Sequence, residues 1–216
     1  MALRLTLHVS RSRLTSLFSP LTSHPTGVAM YLMILGAPGS GKGTQGKLLA
    51  EHLGVPQVST GELLRAAVKG GTPLGVKAKE FMDQGLLVPD EIIFGLIREI
   101  LGSPPAQRGV LMDGFPRTIP QAEAVDGMLV ERSARVDRVL VLDVDEEELV
   151  QRLLGRAAKE GRSDDNIDSI RQRLKVYHAQ TAPLIDFYER RGVVRRVPGM
   201  GSVEEIQVRM RETVQA

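Results

Sequence analysis

A chain of 216 residues, of which 42% are hydrophobic and 25% charged, is long enough to bury the core of one α/β domain. It has no cysteine and no run of 18 or more apolar residues, which excludes disulfides and cysteine-ligated zinc and predicts no membrane-spanning helix. Three arginines and no acid in the first 29 residues account for the formal net charge of +2, and the rest of the chain has no long block of like charge that would favour nucleic acid as a partner.

Residues 1–29 differ in composition from everything that follows them. They are rich in Ser, Thr and Arg, lack acids and contain two prolines, which is typical of organelle transit peptides. We favour a start codon placed too far upstream, because Met30 lies directly before the first predicted strand; a genuine leader and a disordered arm stay open. On each interpretation this segment carries no chemistry, and the functional domain spans 30–216.

From residue 30 onward, short apolar runs alternate with amphipathic stretches, the pattern of a parallel sheet covered by helices. Runs rich in Val, Leu and Ile are typical of strands buried on both faces and predict five strands, at 31–35, 57–59, 110–112, 139–144 and 193–197. Helices are predicted at 42–52, 61–69, 74–84, 90–101, 119–131, 146–158, 165–191 and 203–214. Residues 102–105 are expected to form a plain loop.

A glycine-rich segment at 36–44, GAPGSGKGT, joins the first predicted strand to the first helix. Its glycines let backbone N–H groups surround a phosphate, and the helix N-terminus adds partial positive charge. Lys42 can then reach the β and γ oxygens of a nucleoside triphosphate, and a hydroxyl at the helix start can face Mg²⁺. The usual motif has Ser or Thr directly after the lysine, whereas this chain has Gly43 and then Thr44. The predicted triphosphate site comprises Gly39, Ser40, Gly41, Lys42, Gly43 and Thr44.

Asp113 ends a predicted buried strand, where a carboxylate is costly unless it is paired or faces a cation. At the carboxyl end of a parallel sheet it can hold the water shell of Mg²⁺; a capping or salt-bridge role is the alternative. Arg65 and Arg117 follow elements that converge on the same edge, although either could by itself be a solvated surface arginine.

Four segments, in this order, resemble the adenylate kinase family: GAPGSGKGTQ at 36–45, STGELLR at 59–65, GLLVPD at 85–90 and DGFPRT at 113–118, with Gln121 beyond. The resemblance covers 30–216, and the joint match is highly specific. It implies a P-loop nucleoside-monophosphate kinase fold, with a small insert at 59–88 that binds the monophosphate and a short lid at about 155–165. It also implies reversible, Mg²⁺-dependent transfer of the terminal phosphoryl group of ATP to AMP, giving two ADP, by a cytoplasmic monomer that maintains the nucleotide pool.

The resemblance implies roles for individual residues as well. Arg65 and Arg117 are expected to grip the AMP phosphate, and Asp113 to hold Mg²⁺ through water. The implied catalytic residues are Lys42, Arg117, Arg156, Arg162 and Arg173. AMP binding is assigned to Thr60, Arg65, Leu86, Leu87, Val88, Gly114, Phe115, Pro116, Arg117, Gln121, Arg162 and Arg173. ATP binding further includes Arg156 and Gly201, the latter in a loop at 197–201 whose backbone is expected to meet the adenine.

The lid region is rich in arginine, whose planar fork suits the charge of a transferring phosphoryl group. A charged helical stretch is usually a solvated face, and Arg152 and Arg171 are interpreted as helix-surface or supporting residues. Only five residues separate Arg156 from Arg162, and none is cysteine. The lid is therefore predicted to be of the short type, without zinc.

No residue is expected to act as a nucleophile, so catalysis would consist of alignment, charge neutralisation and exclusion of water. The insert and the lid are accordingly expected to close over the substrates. Three other functions stay open: a kinase for UMP or CMP, against which Thr60 and Gln121 argue; a P-loop switch that hydrolyses its nucleotide slowly; and an ATP-binding protein without turnover. The choice between ATP and GTP as donor also stays open, and so does the oligomeric state.

Removing residues 1–29 is expected to leave the fold and the activity intact, because their composition differs from that of the rest of the chain and Met30 lies directly before the first predicted strand. The melting temperature and the kcat of a protein that begins at Met30 test this. A large loss in either would show that the segment belongs to the folded structure.

Overall fold

The structure is a computed structural model that describes residues 29–160 and 166–215, without the side chains of 158–160. The predictions for residues 1–28, for Arg162 and for the lid segment around it lie outside the described residues. No helix among the described residues is long and apolar enough to cross a membrane.

Five parallel strands form one sheet, in the spatial order β2-β3-β1-β4-β5. They are β1 (Met30–Leu35), β2 (Gln57–Ser59), β3 (Gly109–Asp113), β4 (Arg138–Asp143) and β5 (Val194–Pro198). Every residue of β3 is buried, and so is every residue of β1 after its first, as expected for central strands covered by helices on both faces. The predicted five-stranded parallel α/β sheet is confirmed.

Nine α-helices surround the sheet within the described part of the chain. They are α1 (Lys42–Leu53), α2 (Thr60–Lys69), α3 (Pro73–Asp83), α4 (Asp90–Leu101), α5 (Ile119–Val130), α6 (Glu146–Glu160), α7 (Ile167–Val176), α8 (Pro183–Glu189) and α9 (Val203–Gln215). Successive side chains of β1 alternate between the two faces. Leu32 packs in a cluster with side chains of α1 and α9, whereas Met33 packs in a cluster with side chains of α4, α5 and α8.

Two segments differ from their predicted structure. Residues Pro104–Arg108 form a 3₁₀ helix, where a plain loop was expected through 105. The single helix predicted at 165–191 is instead α7, a π turn at Tyr177–Thr181 and α8. Proline has no N–H for the helical ladder, and just before Pro183 the Ala182 N–H donates to the Tyr177 carbonyl, five residues back, at 2.8 Å. The proline thus accounts for the break.

The carboxyl ends of the strands bring the predicted site residues to one edge of the sheet. The phosphate-binding loop follows β1, Thr60 follows β2, Asp113 ends β3, and the 198–202 loop follows β5. From β1 the chain crosses to β2 on one side of β1, and from β3 it crosses to β4 on the other side. Ligands of open α/β sheets bind at such switch points. Of the two helices of the predicted insert, α2 begins at this edge, directly after β2.

Two glycine-to-alanine substitutions test this packing in opposite directions. Gly109 has φ 106°, and a Cβ there would collide with the backbone of Met30, so Gly109→Ala is expected to lower the free energy of unfolding by at least about 2 kcal/mol. Gly127 lies inside α5, and a Cβ placed on it would meet nothing within 4 Å, so Gly127→Ala should raise that free energy by roughly 0.5–1 kcal/mol. Urea unfolding measures both; equal effects would contradict the described β1–β3 contact.

Candidate active site

The loop between β1 and α1 curls around its own lysine. Gly39 and Gly41 have φ of 89° and 94°, a left-handed conformation that glycine adopts without steric cost. The Lys42 Nζ donates hydrogen bonds to the carbonyl oxygens of Gly36, at 2.7 Å, and Ala37, at 2.8 Å. The loop therefore places an ammonium group at the start of α1, hydrogen-bonded to neutral oxygens.

The loop also packs tightly against α6. A Cβ at Gly39 would lie 2.8 Å from the carbonyl oxygen of Leu149 and 3.0 Å from Cγ of Leu153. Neither contact could be relieved by a small side-chain movement, since Leu153 is fully buried. Gly39 is thus required for the turn of the loop and for the close packing of the loop against α6, the helix that leads into the predicted lid.

Asp113 lies beside the start of α1, and only 5% of its surface is exposed. Gln57 Nε2 donates to Asp113 Oδ2 at 3.4 Å and to the Gly43 carbonyl oxygen at 3.2 Å. A Cβ at Gly43 would lie 3.7 Å from Asp113 Oδ2, so the backbone after Lys42 passes close to the carboxylate. Gln57, which motif reasoning did not single out, links the two.

A pocket forms between the insert and the edge of the sheet, and it gathers most of the residues predicted to bind AMP. Those that line it are Thr60, Arg65, Leu86, Leu87, Val88, Gly114, Phe115, Arg117, Gln121 and Arg173. Pro116 follows Phe115 through a cis peptide bond but is not among the lining residues, and Arg162 lies outside the described residues. Apolar side chains such as Leu64, Met82 and Ile93 complete the wall; the motifs contained no signal for the last two.

Arg117 is held in this pocket by its backbone as well as by its side chain. Its Nε donates to the Gly114 carbonyl oxygen at 2.8 Å, which also accepts from Thr60 Oγ1 at 2.9 Å. Its backbone N–H donates to Gln121 Oε1 at 2.7 Å, and its carbonyl accepts from Thr181 Oγ1 at 2.9 Å. The π turn that contains Thr181 therefore serves to anchor the loop of Arg117, consistent with the tendency of such turns to lie at functional sites.

The positive charges of the site are close enough to act on the pKa of Lys42 and on that of Arg117. Burial lowers the pKa of Lys42 to about 8; Asp113 opposes the shift, and Arg117, Arg173 and Arg156 add to it. Burial likewise lowers the pKa of Arg117 to about 10, with Arg173 and Arg65 adding to the effect against Asp113. Such crowding of like charge in a cleft is typical of a site that binds an anion.

Arg152 contacts the loop that follows β5. Its Nε donates to Glu148 Oε1 at 2.7 Å, and its Nη1 donates to the Gly199 carbonyl oxygen at 3.1 Å. On the other side of the loop, Arg209 Nη1 donates to the carbonyl oxygens of Pro198 and Met200, at 2.9 and 2.7 Å. Arg152 was interpreted as either a helix-surface residue or a supporting residue. These contacts agree with the second interpretation, because Arg152 holds the loop that follows β5. The pairing of residue 152 with 199 joins segments too distant in sequence to be read from a motif.

Gly201 has φ 115° in the same exposed loop, and the predicted ATP ligand Thr44 is also exposed, on the first turn of α1. Neither lines the pocket between the insert and the sheet. Among the described residues, no group of three or more His, Asp or Glu could hold a metal ion. The donor set at Asp113 is a single buried carboxylate beside the phosphate-binding loop, which suits a cation whose other ligands are water and phosphate oxygens.

Comparisons with known proteins agree with this geometry. A sequence model of the family described as adenylate kinase matches residues 34–193. An adenylate kinase of Leptospira biflexa serovar Patoc is 52% identical over 175 residues, which cover 81% of this chain and 94% of that protein. Adenylate kinases of Thermobifida fusca and Stenotrophomonas maltophilia are 50% and 46% identical, over 83% and 87% of this chain and 95% and 100% of their own lengths.

The lowered pKa of Lys42 predicts that the binding of ATP takes up protons in mildly alkaline solution. Above about pH 8 the free protein has largely lost the Lys42 charge, and bound phosphates would raise the pKa of Lys42 and restore that charge. The buffer dependence of the calorimetric binding enthalpy at pH 8.5 and pH 7 measures the uptake. Lys42→Arg is the control, because arginine stays protonated throughout. Equal proton uptake at the two pH values in the native protein would contradict the placement of Lys42 against the phosphates.

Proposed function

The chain belongs to the adenylate kinase family, and from that premise we propose how its residues transfer the terminal phosphoryl group of ATP to AMP. It is a nucleoside-monophosphate kinase, and its reaction is reversible and gives two ADP. The observation that carries the assignment of roles is the cluster of mutually repelling cations, Lys42, Arg117 and Arg173, at the sheet edge where the phosphate-binding loop and the pocket meet.

The donor, MgATP, lies on the phosphate-binding loop. The backbone N–H groups of residues 39–44 surround its phosphates, and Lys42 exchanges its carbonyl partners for the β and γ oxygens. Arg156 contributes charge from α6, since it already acts electrostatically on Lys42. The adenine lies against the backbone near Gly201, in the loop that Arg152 and Arg209 hold.

The acceptor, AMP, lies in the pocket between the insert and the sheet. Arg65, Arg117 and Arg173 bind its phosphate, because all three residues line one pocket and guanidinium groups suit a doubly charged oxyanion. The base contacts the amide of Gln121 and the hydroxyl of Thr60, while the segment Leu86–Val88 covers the adenosine. Arg162, from the lid, would add a further charge at the phosphates.

The reaction needs no covalent intermediate on the protein. An oxygen of the AMP phosphate forms a bond to the γ phosphorus of ATP as the bond from that phosphorus to the β–γ bridging oxygen breaks. The electron pair remains on the β-phosphate of the departing ADP, and both products leave as ADP. The protein's contribution is to hold the two phosphates in line and to offset the negative charge that develops.

Asp113 would hold Mg²⁺ through coordinated water, with the hydroxyl of Thr44 near the same ion. Mg²⁺ supplies charge neutralisation at the β and γ oxygens when bound. The residues present fit this role, since Asp113 is buried and its Oδ2 lies close to the backbone of Gly43, at the start of α1. No zinc is expected.

The insert at 59–88 and the lid at about 155–165 would close over the substrates and exclude water, which would otherwise compete with AMP for the phosphoryl group. Both substrates are small, and the enzyme is proposed to work as a cytoplasmic monomer without nucleic-acid or membrane partners. Its role is to balance the pools of adenine nucleotides.

The acceptor preference tests the proposal most simply. The native protein is expected to use AMP far better than GMP, CMP or UMP, because buried polar groups reject a base that leaves them unpaired. Gln121→Leu should raise the KM for AMP. It should also bring the kcat/KM for AMP closer to the values for GMP, CMP and UMP. The kcat/KM values of both proteins for the four monophosphates, from ADP formed, measure this. A native preference for UMP or CMP would move the assignment to a pyrimidine nucleotide kinase, and equal margins in the two proteins would exclude Gln121 from base recognition.

A further inference from the structure

The side-chain amide of Gln121 is engaged by the protein at both of its ends. Gln121 is 2% exposed and lines the AMP pocket. Its Oε1 accepts from the backbone N–H of Arg117 at 2.7 Å, and its Nε2 donates to Oδ1 of Asp90 at 2.5 Å. Asp90 is the first residue of α4, half-buried, and the residues that line the pocket do not include it.

These two partners determine which way round the amide lies. A carboxylate only accepts hydrogen bonds, and a backbone N–H only donates one. The reversed amide would set its oxygen against the Asp90 carboxylate and its NH₂ group against the Arg117 N–H. Both contacts would be repulsive, and the Asp90 carboxylate and the Arg117 N–H would each lose a hydrogen-bond partner. Asp90, at the nitrogen of the amide, and the Arg117 N–H, at its oxygen, thus both oppose its rotation.

The fixed amide retains one N–H and one lone pair, since each of its ends has used half of its capacity. A donor beside an acceptor matches the edge of adenine, where N1 accepts and the 6-amino group donates. Hypoxanthine and guanine offer the reverse, an N1–H that donates and an O6 that accepts. A base of that kind would need the reversed amide.

We propose that Asp90 is a positioning residue that sets the acceptor selectivity of this enzyme, by holding the Gln121 amide in the orientation that accepts a 6-aminopurine and rejects a 6-oxopurine. This inference rests on the proposed function, because it presumes that the pocket binds the base of AMP. Asp90 does not line the pocket itself and would act on the substrate through Gln121.

Inosine monophosphate is the appropriate probe, because it carries the 6-oxo edge without the 2-amino group that makes guanine larger. Asp90→Ala is expected to raise the KM for AMP about tenfold with little change in kcat, and to narrow the ratio of kcat/KM for AMP over IMP by about tenfold or more. Asp90→Asn should narrow the same ratio with a smaller rise in KM, because its amide can present either an acceptor or a donor to Gln121.

Glu91→Ala is the matched control. Glu91 is exposed on the same first turn of α4 and interacts with the same helix dipole, but the hydrogen bond to Gln121 comes from Asp90. It is expected to keep the native KM and the native ratio.

The outcomes separate this proposal from the one it rests on. If the native protein prefers AMP over IMP and both Asp90 variants keep that ratio, the role of Asp90 is overturned and the proposed function stands. Equal losses with AMP and IMP in the Asp90 variants would likewise overturn it, since a general structural defect would act on both substrates. A native protein with no preference for AMP over IMP would overturn both proposals. If the Asp90→Ala protein does not fold, the ratio of kcat/KM for AMP over IMP in Asp90→Asn tests the role of Asp90 by itself.

Discussion

The crowding of positive charge at one edge of the sheet is the constraint on which the rest of the site depends. Burial lowers the pKa of Lys42 and the pKa of Arg117, and the nearby charge of Arg173 lowers both further. Among the residues that the structure describes, Asp113 is the one acidic residue that is buried, and its opposing effect does not restore the ordinary pKa of Lys42 or of Arg117. The free protein therefore carries an electrostatic cost that the phosphates of two nucleotides would relieve.

The fold keeps these charges in place through neutral contacts. Lys42 is held by carbonyl oxygens of its own loop, and Arg117 by a carbonyl, an amide oxygen and a threonine hydroxyl. Hydrogen bonds of this kind fix position without cancelling charge, so the cations stay available to an anion. The parallel sheet makes the arrangement possible, because the carboxyl ends of its strands meet at one edge.

The sequence allowed the sheet, the phosphate-binding loop and the family to be predicted, because each depends on local patterns: apolar runs, glycine spacing and short motifs. The pocket between the insert and the sheet could be anticipated only through the family resemblance, and the roles of its residues stay predictions. What could not be predicted are contacts between distant segments. Gln57 reaches Asp113 across 56 positions, and Asp90 reaches Gln121 across 31. The π turn was missed because helical periodicity continues through it, and Pro183 alone marked the break.

The most direct test of the central claim is the free energy of unfolding of Arg117→Met, in urea, with and without AMP. Methionine keeps much of the length of the arginine stem, and Gly114 retains Thr60 as a donor to its carbonyl. If the arginine charge is held for a phosphate, the free variant will be at least as stable as the native protein, and AMP will stabilise the native protein but not the variant. A free variant that is clearly less stable, yet is stabilised by AMP as much as the native protein, would show that Arg117 serves the fold rather than the ligand.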